Sequence, residues 1–135
     1  MIELFERWRT LADYLRSILR IAAGFAFTLH GTMKLFAFPA KMGSGIHVFS
    51  QMGLAGILEV FGGGLMVIGL FSRPVAFILS GEMAVAFFQV HFPRSFWPIL
   101  SGGELAMLYC FIWLYFSAAG PGPWSIDAII SRSRN

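Results

Sequence analysis

The chain has 135 residues, 57% apolar and 13% charged, with a mean hydropathy of +0.72 and a formal net charge of +3. Soluble domains carry about 25% charged residues, so this composition excludes a water-soluble globule, a disordered chain and a solvated nucleic-acid binder. Seven charged residues lie in the first twenty positions and three in the last nine, which leaves seven for positions 21–126. The basic excess therefore reads as membrane topology.

In chain order, Leu4, Trp8, Leu11, Leu15, Ile18 and Leu19 recur at helical spacing with Glu6, Arg9, Asp13 and Arg16 between them. That pattern predicts an amphipathic helix lying on a membrane surface. The charged stretch is too long, and the apolar run after it too complete, for a cleavable signal peptide. Four segments reach the roughly 20 residues that a bilayer crossing needs: 18–38, 54–71, 74–92 and 102–119. Only Ser72 and Arg73 separate the second from the third, so these two form a tight antiparallel hairpin, with Pro74 well placed to open a helix. The first connection, 39–53, is longer and rich in glycine. The third, 93–101, is held by two prolines and offers Phe96 and Trp97 to a membrane interface. Gly120-Pro-Gly-Pro ends the fourth span, after which 124–130 predicts a second short surface helix anchored by Trp124.

Arg7, Arg9, Arg16, Arg20, Arg73, Arg132 and Arg134 fall on the side that holds both termini and the second loop, against Lys41 and Arg94 on the other. This bias puts both termini in the cytoplasm. The expected fold is all-α: an integral-membrane four-helix bundle with an N-terminal amphipathic surface helix, in one domain spanning 1–135. Cys110, the single cysteine, excludes an internal disulfide or a CxxC pair and reads as a small packing residue.

His30, Lys34, Glu59, Glu82, His91 and Glu104 fall inside the spans or at their edges. An ionised group alone at mid-bilayer costs on the order of 2.5–3.5 kcal/mol, so these residues need partners, protons or headgroups. His30 and Lys34 share a face of the first span, and Glu59 shares one with Gly62, Gly63 and Met66, a small-residue stripe suited to close helix contact. Glu82 aligns with Ala86 and Gln89, and Glu104 with Leu108, Phe111 and Tyr115. His91 stands half a turn from Glu82 and reads as an interface histidine. At about 1.5 Å per residue, Lys34, Glu59 and Gln89 reach similar depth, roughly 20–25 Å from the cytoplasmic boundary. His30 lies a turn deeper in the bilayer, Glu104 near the outer rim and Glu82 toward the cytoplasmic side of centre. A polar cluster in the extracytoplasmic half is expected: His30, Lys34, Glu59 and Glu104, with Glu82 beneath and Gln89 nearby.

If all three glutamates ionise, Lys34 compensates one, so a carboxyl is protonated or His30 is charged. Such a cluster is either a hydrogen-bonded lock between helices or a proton or ligand site. A di-iron site would need Glu-x-x-His on two helices, but the residues three beyond Glu59, Glu82 and Glu104 are Gly62, Val85 and Met107. His30 and His91 differ by about 7 Å in depth, which disfavours a bis-histidine haem. No zinc pattern, nucleotide loop or Ser/His/Asp arrangement is present, so no metal ligands are assigned and the catalytic residues stay unassigned.

The stretches His30-Gly-Thr-Met-Lys-Leu-Phe, Gly81-Glu-Met-Ala-Val-Ala-Phe-Phe, His91-Phe-Pro-Arg-Ser-Phe-Trp-Pro, Gly102-Gly-Glu-Leu-Ala and Ala119-Gly-Pro-Gly-Pro-Trp-Ser-Ile-Asp resemble the DoxX family of small bacterial membrane proteins. The resemblance covers about 19–130, with Ser101 standing where an asparagine is expected before Gly-Gly-Glu. It implies a multi-pass protein of the bacterial inner membrane associated with sulfur, thiol or quinone redox chemistry, and it carries no established catalytic residues. Three readings follow. The chain is a subunit of a quinone-linked oxidoreductase, which needs a redox partner protein or a bound cofactor, with quinone the cofactor that the resemblance suggests. Alternatively it is a small-solute or proton-coupled transporter, which would require a homo-oligomer. The plainest option is a structural or assembly subunit. The bilayer is a partner in all three.

Overall fold

The computed structural model describes residues 1–42 and 47–135. The part of the first connection at 43–46 lies outside them. Among the described residues there are seven α-helices and no strand. They are α1 (Ile2–Thr10), α2 (Ala12–Phe36), α3 (Gln51–Ile68), α4 (Ser72–Ala86), α5 (Pro98–Ser101), α6 (Glu104–Ala119) and α7 (Ile126–Ser133). The chain runs from α4 into a π-helical turn, Phe87–His91, in which the Phe92 amide donates to the Phe87 carbonyl five residues back.

Two tight pairings organise the chain. α2 lies along α3 and α4 along α6, and the α3–α4 hairpin joins the pairs. The α2–α3 seam is made by glycine. A Cβ at Gly24 would stand 2.9 Å from the Gly63 carbonyl oxygen, and one at Gly31 would stand 2.7 Å from that of Gly56. No larger residue allows the backbones this approach. The α4–α6 side is filled by bulk instead: Leu79 and Met83 against Tyr109, Trp113 and Phe116, with Phe27 reaching in from α2.

The amphipathic N-terminal stretch divides into two helices. α1 is separate and buries nothing, whereas Asp13 and Arg16 belong to the first turns of α2, which begins six residues before the expected span. α7 forms where a short surface helix is expected and is N-capped by Ser125, whose hydroxyl accepts from the Ala128 amide. The small helix α5 in the third connection has no counterpart in the sequence reading.

Two helical stretches, Gln51–Ile68 and Ser72–His91, are long and apolar enough to cross a membrane, and α6 is a shorter apolar helix. Their large side chains point outward as well as inward. Phe25, Phe61, Phe77, Phe88 and Phe111 are 61–68% exposed, on four successive long elements. In water this would be an aggregating surface; against lipid it is the required one.

The arginine end is bonded rather than merely charged. Arg20, counted as a topology residue in the sequence, is fully buried. Its Nε donates to the Met66 carbonyl at 2.7 Å, and its terminal nitrogens donate to the carbonyls of Trp124 at 2.6 Å and of Pro121. It thereby fills the acceptors left open at the C-terminus of α3. Gly69 ends that helix at φ +71°, and a Cβ there would lie 3.0 Å from the Arg20 guanidinium carbon. The opposite need, at the N-terminus of α4, is met by Asp127. Its two oxygens accept from the Phe71 and Ser72 amides at 2.9 and 2.8 Å. The Gly-Pro-Gly-Pro turn therefore brings the C-terminal segment back to cap both ends of the hairpin.

Candidate functional site

Lys34 stands in the last turn of α2 and Glu59 in the middle of α3. The Lys34 Nζ donates to Glu59 Oε1 at 2.5 Å, with the side chains 11% and 2% exposed. The glycine seam makes this possible. A Cβ at Gly56 would sit 3.1 Å from the Lys34 Cβ, so the lysine stem lies over that glycine and runs down to the carboxylate one turn further along α3. The second oxygen, Glu59 Oε2, is buried with no hydrogen-bond partner among the described residues.

Glu82 comes from the last third of α4, close enough to Glu59 and Lys34 for their charges to act on it. Both of its carboxyl oxygens are buried and neither has a hydrogen-bond partner among the described residues. His30, one turn before Lys34 on α2, lies edge-on to the Tyr109 ring at 6.2 Å. Tyr109 is itself buried, stacked on Trp113 at 6.0 Å and edge-to-face with Phe27 at 5.1 Å. The Trp113 indole Nε1 is a further buried donor without a partner.

Four helices thus bring His30, Lys34, Glu59, Glu82 and Tyr109 to one level. The inward face expected for Glu59, Gly62, Gly63 and Met66 is buried throughout. Depths differ from the sequence estimate. Glu59 lies nine residues from the end of α3 and Glu82 ten from the start of α4, so at about 1.5 Å per residue the two carboxyls are nearly level. Glu82 is beside the ion pair, not beneath it.

Two expected members are elsewhere. Glu104 opens α6 and is exposed. The face it shares with Leu108, Phe111 and Tyr115 turns outward, because α6 packs through Ala106, Tyr109, Trp113 and Phe116. Gln89 is also exposed and accepts from Gln51 Nε2 at 2.5 Å, tying the start of α3 to the π turn. His91 remains outside the cluster, with Nδ1 3.2 Å from the Ser101 carbonyl oxygen. Tyr109 is the member the sequence reading missed. The signal was the stripe Ala106, Tyr109, Trp113, Phe116, which competes with the Glu104 stripe at the same spacing.

The chemistry of the cluster follows from its inventory. One lysine faces two carboxyls and satisfies one oxygen of one of them. Three carboxyl oxygens and an indole N–H remain, in surroundings where each unmade hydrogen bond costs about 1–3 kcal/mol. Groups arranged this way can hold a proton, or hydrogen-bond a molecule that enters between the helices. Among the described residues, no group of three or more His, Cys, Asp or Glu side chains is arranged to hold a metal ion.

A family profile for DoxX matches residues 15–92, more than half of the chain. An uncharacterized protein of Haemophilus influenzae is 43% identical over 127 aligned residues, covering 90% of this chain and 92% of that protein. No solved structure gives a significant match.

Proposed function

The chain belongs to the DoxX family and is a membrane protein, and from that premise we propose that it is a multi-pass inner-membrane subunit whose buried cluster handles the proton of a quinone-linked redox reaction. The proposed architecture is a single-domain four-helix bundle of α2, α3, α4 and α6, with both termini in the cytoplasm and the arginine end at the cytoplasmic boundary.

One observation carries the reading. The Glu82 carboxyl is buried near the Lys34–Glu59 pair and has no hydrogen-bond partner among the described residues. A lock between helices requires only partners that bond each other, as Lys34 and Glu59 do. Glu82 contributes nothing to such a lock and burdens it with a second carboxyl. Its position suits a proton carrier: Glu82 takes up and gives back the proton near the Lys34–Glu59 hydrogen bond. His30 and Tyr109 border the same space from α2 and α6. The unpartnered atoms match a quinone head in kind, since a protonated Glu82 and the Trp113 N–H are donors for carbonyl oxygens. Bound there, a quinone would supply the two-electron acceptor, and its electrons would come from a partner polypeptide. Glu104 and Gln89 lie outside this proton site.

Lipid extracts of the purified protein, analysed by mass spectrometry, test the reading. Co-purified quinone is expected from the wild type, with loss on Glu82→Gln. Quinone absent from the wild type, with substrate-dependent proton movement in liposomes abolished by Glu82→Gln, would replace this reading with proton-coupled transport. If Glu82→Gln changes neither, the cluster is structural.

A further inference from the structure

The arginine end carries a second feature. A cavity of about 410 Å³ opens beside the Gly120-Pro-Gly-Pro turn, lined by charged residues from three helices: Asp13 and Arg16 of α2, Arg73 of α4 and Asp127 of α7. The two guanidinium groups converge on one helix end. Arg73 donates to the carbonyls of Ser117 and Ala118, and Arg16 donates to that of Ala119 at 3.1 Å. Arg73 closes over Gly120, where a Cβ would stand 3.0 Å from one of its terminal nitrogens. Arg16 is already paired with Asp13 at 2.8 Å, so of the two cations Arg73 is the one left to take an added anion.

Donors remain for such an anion. Among the described residues, Arg73 bonds there through one terminal nitrogen, which leaves Nε and the other terminal nitrogen of this exposed residue without a partner. The acids of the lining do not fill the role. Both oxygens of Asp127 are held by the Phe71 and Ser72 amides. Asp13 gives Oδ1 to Arg16 at 2.8 Å and is otherwise largely exposed, with a second oxygen left over at the rim. The cavity therefore presents phosphate-type donors within and a carboxylate oxygen at its edge.

We propose that this cavity is a headgroup site for a zwitterionic aminophospholipid. The phosphodiester binds the two unpartnered nitrogens of the Arg73 guanidinium, and the primary ammonium binds Asp13. Arginine suits phosphate because its planar fork offers paired donors. The surroundings suit a lipid rather than a free anion. Trp124 lies 5.4 Å from Tyr14 beside the opening, and both are about half exposed, as are Ile129 and other apolar residues of α7. Aromatic side chains of this kind mark the headgroup level of a bilayer. The site is separate from the Glu82 cluster but shares the proposal that the arginine end lies at the cytoplasmic boundary.

Native mass spectrometry of the delipidated protein, with phosphatidylethanolamine, phosphatidylglycerol, phosphatidylcholine or inorganic phosphate added back, tests it. Phosphatidylethanolamine is expected to be retained best, with Arg73→Gln weakening it about tenfold. Asp13→Asn removes the ammonium partner and should switch the preference to phosphatidylglycerol, because the cavity then has a cationic excess. That reversal in an exposed residue does not depend on the stability of the variant. Equal retention of all three lipids, or an Asp13→Asn variant with unchanged preference, overturns the assignment. Inorganic phosphate displacing the lipid at equal concentration would make it a free-phosphate site instead. None of these outcomes touches quinone content, so this inference and the redox reading fail separately.

Discussion

Lys34 and Glu82 are both intramembrane ionisable residues by position, yet their environments assign them opposite duties. Among the described residues Lys34 has one partner, at 2.5 Å, and both side chains are almost closed off. Its replacement by methionine leaves the Glu59 carboxylate buried and alone, an arrangement that destabilises by about 3–5 kcal/mol. Thermal unfolding in detergent should show that loss for Lys34→Met, and a double replacement, Lys34→Met with Glu59→Met, should recover most of it. Glu82→Gln removes no hydrogen bond, so its unfolding temperature should stay close to wild type, with a change within about 0.5 kcal/mol. A loss for Glu82→Gln as large as that for Lys34→Met would mean that this carboxyl is a fastening and not a proton carrier.

Among the elements, the inward face of α3 was legible from the sequence and the α4–α6 seam was not. Glu59 recurs with Gly62, Gly63 and Met66 at a spacing that places them on one helical face, and small residues in a membrane helix have one strong use. In α6 two stripes compete. Glu104, Leu108, Phe111, Tyr115 and Ala106, Tyr109, Trp113, Phe116 are equally periodic, and a rule that sends charge inward selects the wrong one. The charge opens the helix, where it can reach water, so the aromatic stripe takes the core. The π turn was invisible for a related reason: it ends where His91 meets Ser101 and Gly103, contacts that no local pattern encodes. Arg20 was read by its charge alone, whereas its partners are carbonyls 46 and 104 residues away. The glycine seam makes a sharp comparison possible. Gly63→Ala drives a Cβ to 2.9 Å from both the Gly24 carbonyl oxygen and the Thr28 amide, neither of which can yield, whereas Gly64→Ala meets nothing within 4 Å. Adjacent residues should therefore differ in sign. Gly63→Ala should lower stability by about 1–3 kcal/mol, and Gly64→Ala should leave it unchanged or raise it by up to about 1 kcal/mol. The two unfolding curves in the same detergent decide this.

For the whole molecule, the question is how many times the chain crosses the bilayer, and it turns on α6. At 16 residues this helix is about 24 Å long, short of the roughly 30 Å hydrocarbon core. Its ends compensate. At one end, Arg16 and Arg73 hold the carbonyls of residues 117–119, so the polar boundary begins at the last turn of the helix. At the other, the Gly102–Gly103 turn and α5 continue the chain past Glu104, with Trp97, Ile99 and Leu100 exposed toward the interface. The outward apolar side chains of α6, Leu108, Phe111 and Leu114, also match those of α3 and α4, so lipid is the solvent on this face too. If α6 crosses, positions before and after it lie on opposite sides of the membrane. In a Cys110→Ala background, Arg94→Cys should react with an impermeant maleimide in intact spheroplasts. Ser133→Cys should react only after permeabilisation. The N-terminal Arg7→Cys should behave like Ser133→Cys, because four crossings return the chain to its starting side. Labelling of the 94 and 133 positions from the same side would make α6 a helix that packs on α4 without crossing, and the proposed four-crossing bundle would fail.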